Sequence, residues 1–260
     1  MPEPTLRALL DIAVEGAYLA GRHALGYFNT GVTAEAKSDN SPVTVADREA
    51  ERVLREHVAR AFPGHAILGE EEGETAGDAE FRWIVDPIDG TKTFLAGVPL
   101  WGVLVGVEVR GAPAVGVVYL PALDEMVCAA DGLGCTWNGR PCRVSSTNHL
   151  DDALLLTTSV TACRARSAAW DNLAARTRLQ RTWGDCYGYV LVATGRADIM
   201  LDPAMNPWDS APLLPILREA GGHFSDWQGT PTIWTGDTMA TNAALAAPVL
   251  DVLRGEKRRA

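Results

Sequence analysis

Five acidic residues stand where strand-like or helix-like stretches of this sequence begin or end: Asp47, Glu70, Asp86, Asp89 and Asp209. What they share is oxygen-only ligand chemistry. The histidines (His23, His57, His65, His149 and His223) show no Ser-His-Asp, Cys-His or H-E-x-x-H pattern and read as surface or satisfied core residues. Grouped carboxylates suit Mg²⁺ or Mn²⁺ rather than Zn²⁺. Each also has an ordinary structural explanation. Asp86 to Gly90 could be a plain Asp-Pro/Asp-Gly turn, Glu70 to Glu72 a solvated loop, and Asp209 a helix N-cap.

The stretch from Trp83 to Phe94 is the most informative. Trp83 to Val85 read as a short buried strand, and Pro87, which has no N–H to donate, ends it at Asp86. Asp86 and Asp89 then lie at the carboxyl end of a strand, where open sheets place ligands. Gly90 permits close backbone approach, and a helix starting at Thr91 would present free N–H groups to an anion. Carboxylates for a cation beside amides for a phosphate point to metal-assisted phosphate chemistry.

The elements that must hold these residues follow from periodicity. Leu6 to Phe28 carry a helical apolar stripe, with Thr5 as N-cap and Gly31 as stop. Lys37 to Val43 form a polar loop, and a second helix starts near Thr44, where Thr44 and Asp47 have capping-box spacing. Ile67-Leu68 is a short strand running into the three glutamates. Residues 101–144 read as an antiparallel sheet, with Asn138-Gly139 as the turn of a hairpin between residues 135–137 and 142–144. From Asp151 onward strands and helices alternate. The helices are expected at 165–177, 187–194, 210–220 and 244–254. The lobes divide as 1–148 and 149–260, packed into one unit. Pro212 and Pro215 are unusual inside the third of those helices.

At 260 residues, 47% hydrophobic and 22% charged, the chain can bury a sizeable core. Its net charge of −10 argues against a nucleic-acid backbone binder, but not against a small phosphorylated substrate at a cation-loaded site. The five cysteines include no C-x-x-C pair, which suits a reducing compartment. No basic leader pattern opens the chain and no apolar run approaches the roughly 20 residues a span needs, so a soluble cytoplasmic protein without membrane partners is expected.

Gly69-Glu70-Glu71, Trp83 to Thr91 followed by Phe94, and Trp208-Asp209 with Gly221-Gly222 downstream resemble the inositol monophosphatase family of metal-dependent phosphatases. The resemblance runs from the first helix to the last. It implies a mixed α/β (α+β) fold, the layered αβαβα sandwich of that family, and a homodimer. It also implies two or three Mg²⁺ ions per site. Glu70, Asp86 and the Ile88 carbonyl would hold the first, and Asp86, Asp89 and Asp209 the second. The amides of Gly90 and Thr91 would bind phosphate, and Asp47 with Thr91 would orient the attacking water. Lys37 matches a mobile loop that closes over the site. Thr93 departs from the family, which often has Asn there.

Trp183 to Tyr189, followed by Ala193 to Asp198, resemble the subgroup that acts on histidinol phosphate. Asp185 and Asp202 are the candidate contacts for its amine and imidazole, although Asp185 could instead be a helix N-cap. Arg181 could face phosphate or a neighbouring subunit. The expected activity is Mg²⁺-dependent hydrolysis of histidinol phosphate. The alternatives are an inositol-1-monophosphatase or broad sugar phosphatase, and a catalytically silent cation-binding regulatory protein.

Overall fold

The computed structural model describes residues 3–37 and 41–255. Its architecture is five layers, α/β/α/β/α, built around two large sheets, with a small antiparallel ribbon of Glu35–Ala36 and Pro42–Val43 beside them. The larger sheet has eight strands in the spatial order Arg140–Pro141, Gly134–Trp137, Glu125–Ala130, Ala112–Leu120, Gly102–Val109, Asp78–Asp89, His65–Gly69 and Gly73–Thr75. Every neighbouring pair is antiparallel except His65–Gly69 beside Asp78–Asp89, which is parallel. The smaller sheet orders Leu179–Arg181, Leu154–Leu156, Ile199–Asp202, Thr238–Asn242 and Gly222–Ser225.

Strand alternation decides which residues face which layer. Trp83, Val85, Val103, Val105 and Val107 point to the outer side of the large sheet. There they are covered by the helices Leu6–Leu25 and Val45–Ala61, whose alanine-rich stripe allows close approach. Ile84, Leu104 and Val118 point the other way, into a central layer made by the helices Asp185–Ala193 and Leu213–Glu219. Asp86 shares the face of Ile84, so the same alternation aims its carboxylate at this central layer. The far face of the small sheet is closed by Trp170 and Leu173 on Ala169–Ala175 and by Val249 on Ala246–Leu253. Burying each large apolar side chain contributes about 1.5–3 kcal/mol relative to exposure, so the layers form a stiff scaffold.

Thr5 and Thr44 cap the first two helices as expected, and the Thr44–Asp47 capping box is formed. The first helix ends at Leu25, earlier than Phe28, in turns that reach Gly31 at φ 79°. The strand through Trp83 does not stop at Asp86. It continues to Asp89, with an irregularity between Asp86 and Asp89 before pairing resumes at Gly102. That break spans Pro87, the residue with no N–H to offer the ladder. The hairpin at Asn138-Gly139 closes on Arg140–Pro141, with both turn residues at positive φ.

Two expected helices are each broken in two. Residues 165–177 become Val160–Arg166 and Ala169–Ala175, interrupted at Ser167, which adopts an extended conformation. Residues 210–220 become Pro207–Ser210 and Leu213–Glu219. Pro212 sits at the N-cap of the second piece and Pro215 in its first turn, where helix N–H groups have no partner inside the helix. The break is seated on two glycines that face each other across neighbouring strands, Gly106 and Gly116. A Cβ on Gly116 would lie 2.0 Å from the Pro212 carbonyl oxygen, and one on Gly106 would lie 2.7 Å from the Ala211 Cβ. This close seating brings Asp209 down beside Asp86.

Candidate active site

The site forms at one end of the parallel strand pair. Gly69 registers with Val85, and the Glu70 N–H donates to the Val85 carbonyl at 3.2 Å, so Glu70 emerges next to Asp86. Asp86 is 2% exposed, and its Oδ1 accepts the Ile88 N–H at 2.9 Å in a turn that carries the chain toward Asp89. Asp209 arrives from the other half of the chain as the third residue of Pro207–Ser210. It is not an N-cap: Asn206 holds that position, and Asp209 Oδ2 accepts the Asn206 N–H at 2.7 Å. Ligand oxygens of Asp86, Asp89 and Asp209 all lie within 4.8 Å of one another.

Past Asp89 the chain turns at Gly90, whose φ of 85° favours glycine, and enters the helix Thr91–Leu95. A Cβ on Gly90 would also sit 2.8 Å from Asp185 Oδ2. Thr91 Oγ1 lies 3.4 Å from buried Asp47 Oδ1 and 3.3 Å from the Ile88 carbonyl. Lys37 Nζ donates to Glu70 Oε1 and Glu71 Oε1 at 2.7 Å each. Of the loop expected to be mobile, Ser38 to Asn40 lie outside the described residues.

The central-layer helix Asp185–Ala193 closes the other wall, with its start two residues earlier than expected. The Cys186 N–H in its first turn donates to Asp89 Oδ2 at 2.5 Å. Asp185 does not cap this helix, because Gly184 holds the N-cap position. Its carboxylate instead accepts the Thr93 hydroxyl at 2.8 Å. Asp202 is buried, accepting the Thr158 N–H at 2.9 Å and the Tyr189 hydroxyl at 3.1 Å. Asp89, Asp185, Asp202 and Asp209 together line one cavity of about 190 Å³. Arg181 is exposed on the edge strand and donates to the Gln180 carbonyl at 2.7 Å.

A sequence profile of the Inositol monophosphatase family matches residues 5–258. The chain belongs to this family. A histidinol-phosphatase from Chlorobaculum parvum is 39% identical over 255 residues, which are 96% of this chain and 98% of the relative. The Nus factor SuhB of Escherichia coli is 32% identical over 260 residues, covering 96% of this chain and 97% of the relative. The solved structure of an inositol monophosphatase from Anabaena (Nostoc) superposes with a TM-score of 0.85 at 34% identity, covering 96% of each chain. Family membership makes the protein a phosphatase acting on a small phosphorylated substrate.

The donor set of this phosphatase fits a hard divalent cation. Asp86 and Asp89 are pushed well above the usual carboxylate range, first by burial and then by the neighbouring negative charges, including Asp209 on both. Asp209 is raised to about 7, chiefly by burial with the Glu70 charge adding, and the Asn206 N–H opposes the rise. Carboxylates crowded this way repel one another until a cation compensates them. The consequence for stability has a definite sign. The folded chain holds a proton on Asp209 that the unfolded chain gives up near the ordinary value of 3.8, so stability falls as pH rises from about 4 to about 7. In metal-stripped protein the thermal midpoint is expected to drop by roughly 5 °C more than in Asp209→Asn over this window, and divalent cation should remove the difference. Parallel midpoint–pH curves for the two proteins would contradict this.

One supporting residue escaped the sequence reading. Glu51 lies one helical turn after Asp47, is 0% exposed, and accepts the N–H groups of Glu71 at 2.7 Å and Glu72 at 3.0 Å. Arg55 balances its charge at 2.8 Å. Glu51 thereby pins the turn that presents Glu70. The i, i+4 spacing from Asp47 was the available signal, since it puts both acids on the same buried helix face. The pinning requires a glycine at residue 69, because a Cβ there would meet Glu51 Oε1 at 2.1 Å. Gly69→Ala is expected to displace the turn and weaken divalent-cation affinity by roughly 10–100-fold, the range seen for groups that support metal ligands. Calorimetric titration with Mg²⁺ checks it, and unchanged affinity in a folded variant would refute the pinning.

The pairing of Lys37 with Glu70 and Glu71 has an electrostatic signature. Burial alone would lower the Lys37 ammonium pKa, but its hydrogen bonds to the two glutamates outweigh that and raise it. Glu71 is pushed up to about 7 by burial, against the opposing pull of Lys37.

Proposed function

We propose that this phosphatase hydrolyses histidinol phosphate to histidinol and inorganic phosphate with Mg²⁺ as its cation. The observation that carries the reading is the pair Asp185 and Asp202 lining the same cavity as Asp89 and Asp209. A phosphate held at the cation cluster would leave its organic part against this wall. Two carboxylates there favour a cationic amino alcohol over a neutral polyol. The similarity to a histidinol-phosphatase over nearly the whole of both chains supports the same substrate.

In this reading Glu70, Asp86, the Ile88 carbonyl, Asp89 and Asp209 hold two or three ions. Cations held there would supply Lewis acidity at phosphorus and make water easier to deprotonate. Gly90 and Thr91 hold the phosphate oxygens with backbone N–H groups at the start of a helix. The Thr91 hydroxyl orients the water, and Asp47 behind it takes up the proton. Water oxygen bonds to phosphorus as the bond from phosphorus to the ester oxygen breaks; the departing alkoxide takes a proton from solvent to become the alcohol, and Asp47 returns its proton to solvent. Lys37 keeps Glu70 and Glu71 aligned. We also assign the protein to the cytoplasm as a homodimer of two-lobed chains.

A kinetic panel tests the substrate. The kcat/KM for histidinol phosphate is expected to exceed that for inositol 1-phosphate and fructose 1,6-bisphosphate by at least ~10-fold, the scale on which one charge-assisted contact discriminates. Higher values for a polyol phosphate would favour the inositol or broad sugar phosphatase reading, to which the Anabaena likeness points. No cation-stimulated phosphate release on any phosphomonoester would favour a silent regulatory protein.

A further inference from the structure

The five cysteines are free thiols, and the fold brings two of them into contact. Cys135 lies on the strand Gly134–Trp137, and Cys142 follows the edge strand Arg140–Pro141. The hairpin register pairs Pro141 with Thr136, which sets Cys142 opposite Cys135, and the Cys142 N–H donates to the Cys135 carbonyl at 3.1 Å. The two Sγ atoms are 3.4 Å apart. Facing residues in such a pair have Cα atoms about 5.5 Å apart, inside the range that disulfides span, so the sulfurs close to a bond of about 2.05 Å by small side-chain rotations.

We propose that Cys135 and Cys142 form a redox-active dithiol that is oxidised to an intrachain disulfide by small disulfides of the glutathione class. The order of attack follows from access and charge. Cys142 is half-buried at the sheet edge, whereas Cys135 is only 4% exposed. Contact with Cys135 lowers the Cys142 thiol pKa and raises its partner's, and the nearby Arg196 guanidinium lowers Cys142 further. Arg196 is held in place by Glu125 at 2.7 Å and by stacking 4.3 Å from the centre of the Trp137 ring. The other three thiols lack this arrangement. Cys128 contacts the Thr136 hydroxyl, Cys163 that of Thr157, and Cys186, at the wall of the active-site cavity, is only 2% exposed; all three are raised by burial.

The chemistry balances as two exchanges. The Cys142 thiolate attacks one sulfur of oxidised glutathione, forming a mixed disulfide and releasing a glutathione thiolate that takes up a proton. The Cys135 thiol gives its proton to solvent and attacks the Cys142 sulfur, releasing a second glutathione. Overall two protein thiols lose two electrons and two protons, and one oxidised glutathione becomes two reduced ones.

Differential alkylation of the folded protein tests this. The protein is equilibrated in glutathione buffers of increasing oxidised fraction, then denatured, labelled and digested. Trypsin does not cut Arg140-Pro141, so Cys128, Cys135 and Cys142 stay in one peptide for fragmentation. Labelling of Cys135 and Cys142 is expected to fall together, with one sharp midpoint and full recovery in dithiothreitol, while Cys128, Cys163 and Cys186 remain labelled. Cys135→Ser should trap glutathione on Cys142, and Cys142→Ser should trap none on Cys135. Oxidation spread evenly over the five thiols, loss of one thiol without the other, or trapping on Cys135 in Cys142→Ser would overturn the proposal. Should Cys135→Ser fail to fold, the wild-type labelling pattern decides alone.

Discussion

Asp209→Asn and Asp89→Asn are each expected to lower the rate of phosphate release by ~10³-fold or more, while the metal-free protein keeps or gains stability. The two halves of that expectation have one cause. Burial first, and then neighbouring negative charge (Glu70 on Asp209, Asp185 and Asp209 on Asp89), makes each carboxylate costly to ionise, so the neutral amide removes that cost in the absence of cation. The local fold has no reason to suffer. Asn keeps an acceptor oxygen, and each native carboxylate needs one: Asp209 for the Asn206 N–H and Asp89 for the Cys186 N–H. What the amide cannot do is bring a negative charge to a hard cation. The checks are single-turnover phosphate release, Mg²⁺ titration calorimetry and thermal midpoints with and without cation. A folded variant with near-normal turnover would remove its residue from the cation site.

Asp185→Asn is expected to lower kcat/KM for histidinol phosphate by about 10–100-fold, about 1.4–2.7 kcal/mol, and mostly through KM. The loss for inositol 1-phosphate should stay within about 3-fold, because a neutral polyol gains little from a full charge there. The variant isolates charge from shape. Asp185 has φ 50°, a left-handed backbone that Asn tolerates well, and the Thr93 hydroxyl can donate to an amide oxygen as it does to the carboxylate. Equal losses on both substrates would mean that Asp185 only supports the wall, and the substrate reading would lose its main support. Thr93, where a departure from the family was expected, donates its hydroxyl to the Asp185 carboxylate.

Local chemistry made much of this legible in advance. Thr5 and Thr44 announced two helix starts because capping depends on residues within one turn, and Asn138-Gly139 announced its hairpin because the turn needs two residues that tolerate positive φ. The boundaries that failed were settled by packing. Asp78–Asp89 runs on past Pro87 because the neighbouring strand resumes pairing at Gly102, and the helix around Pro212 breaks because Gly106 and Gly116 let it sit directly on the sheet.

The site divides in the same way. The donor types, the glycine turn before Thr91–Leu95 and the phosphatase family were readable from the chain alone, since each motif is complete within a few positions even though the motifs are spread along the whole chain. Which distant residues meet depends on the folded arrangement. It joined Asp209 to Asp86 across the central layer, set Thr93 on Asp185, placed Glu51 under the Glu70 turn and brought Cys142 against Cys135. Those contacts depend on which face each strand and helix buries, and that is fixed by the packing of all five layers together.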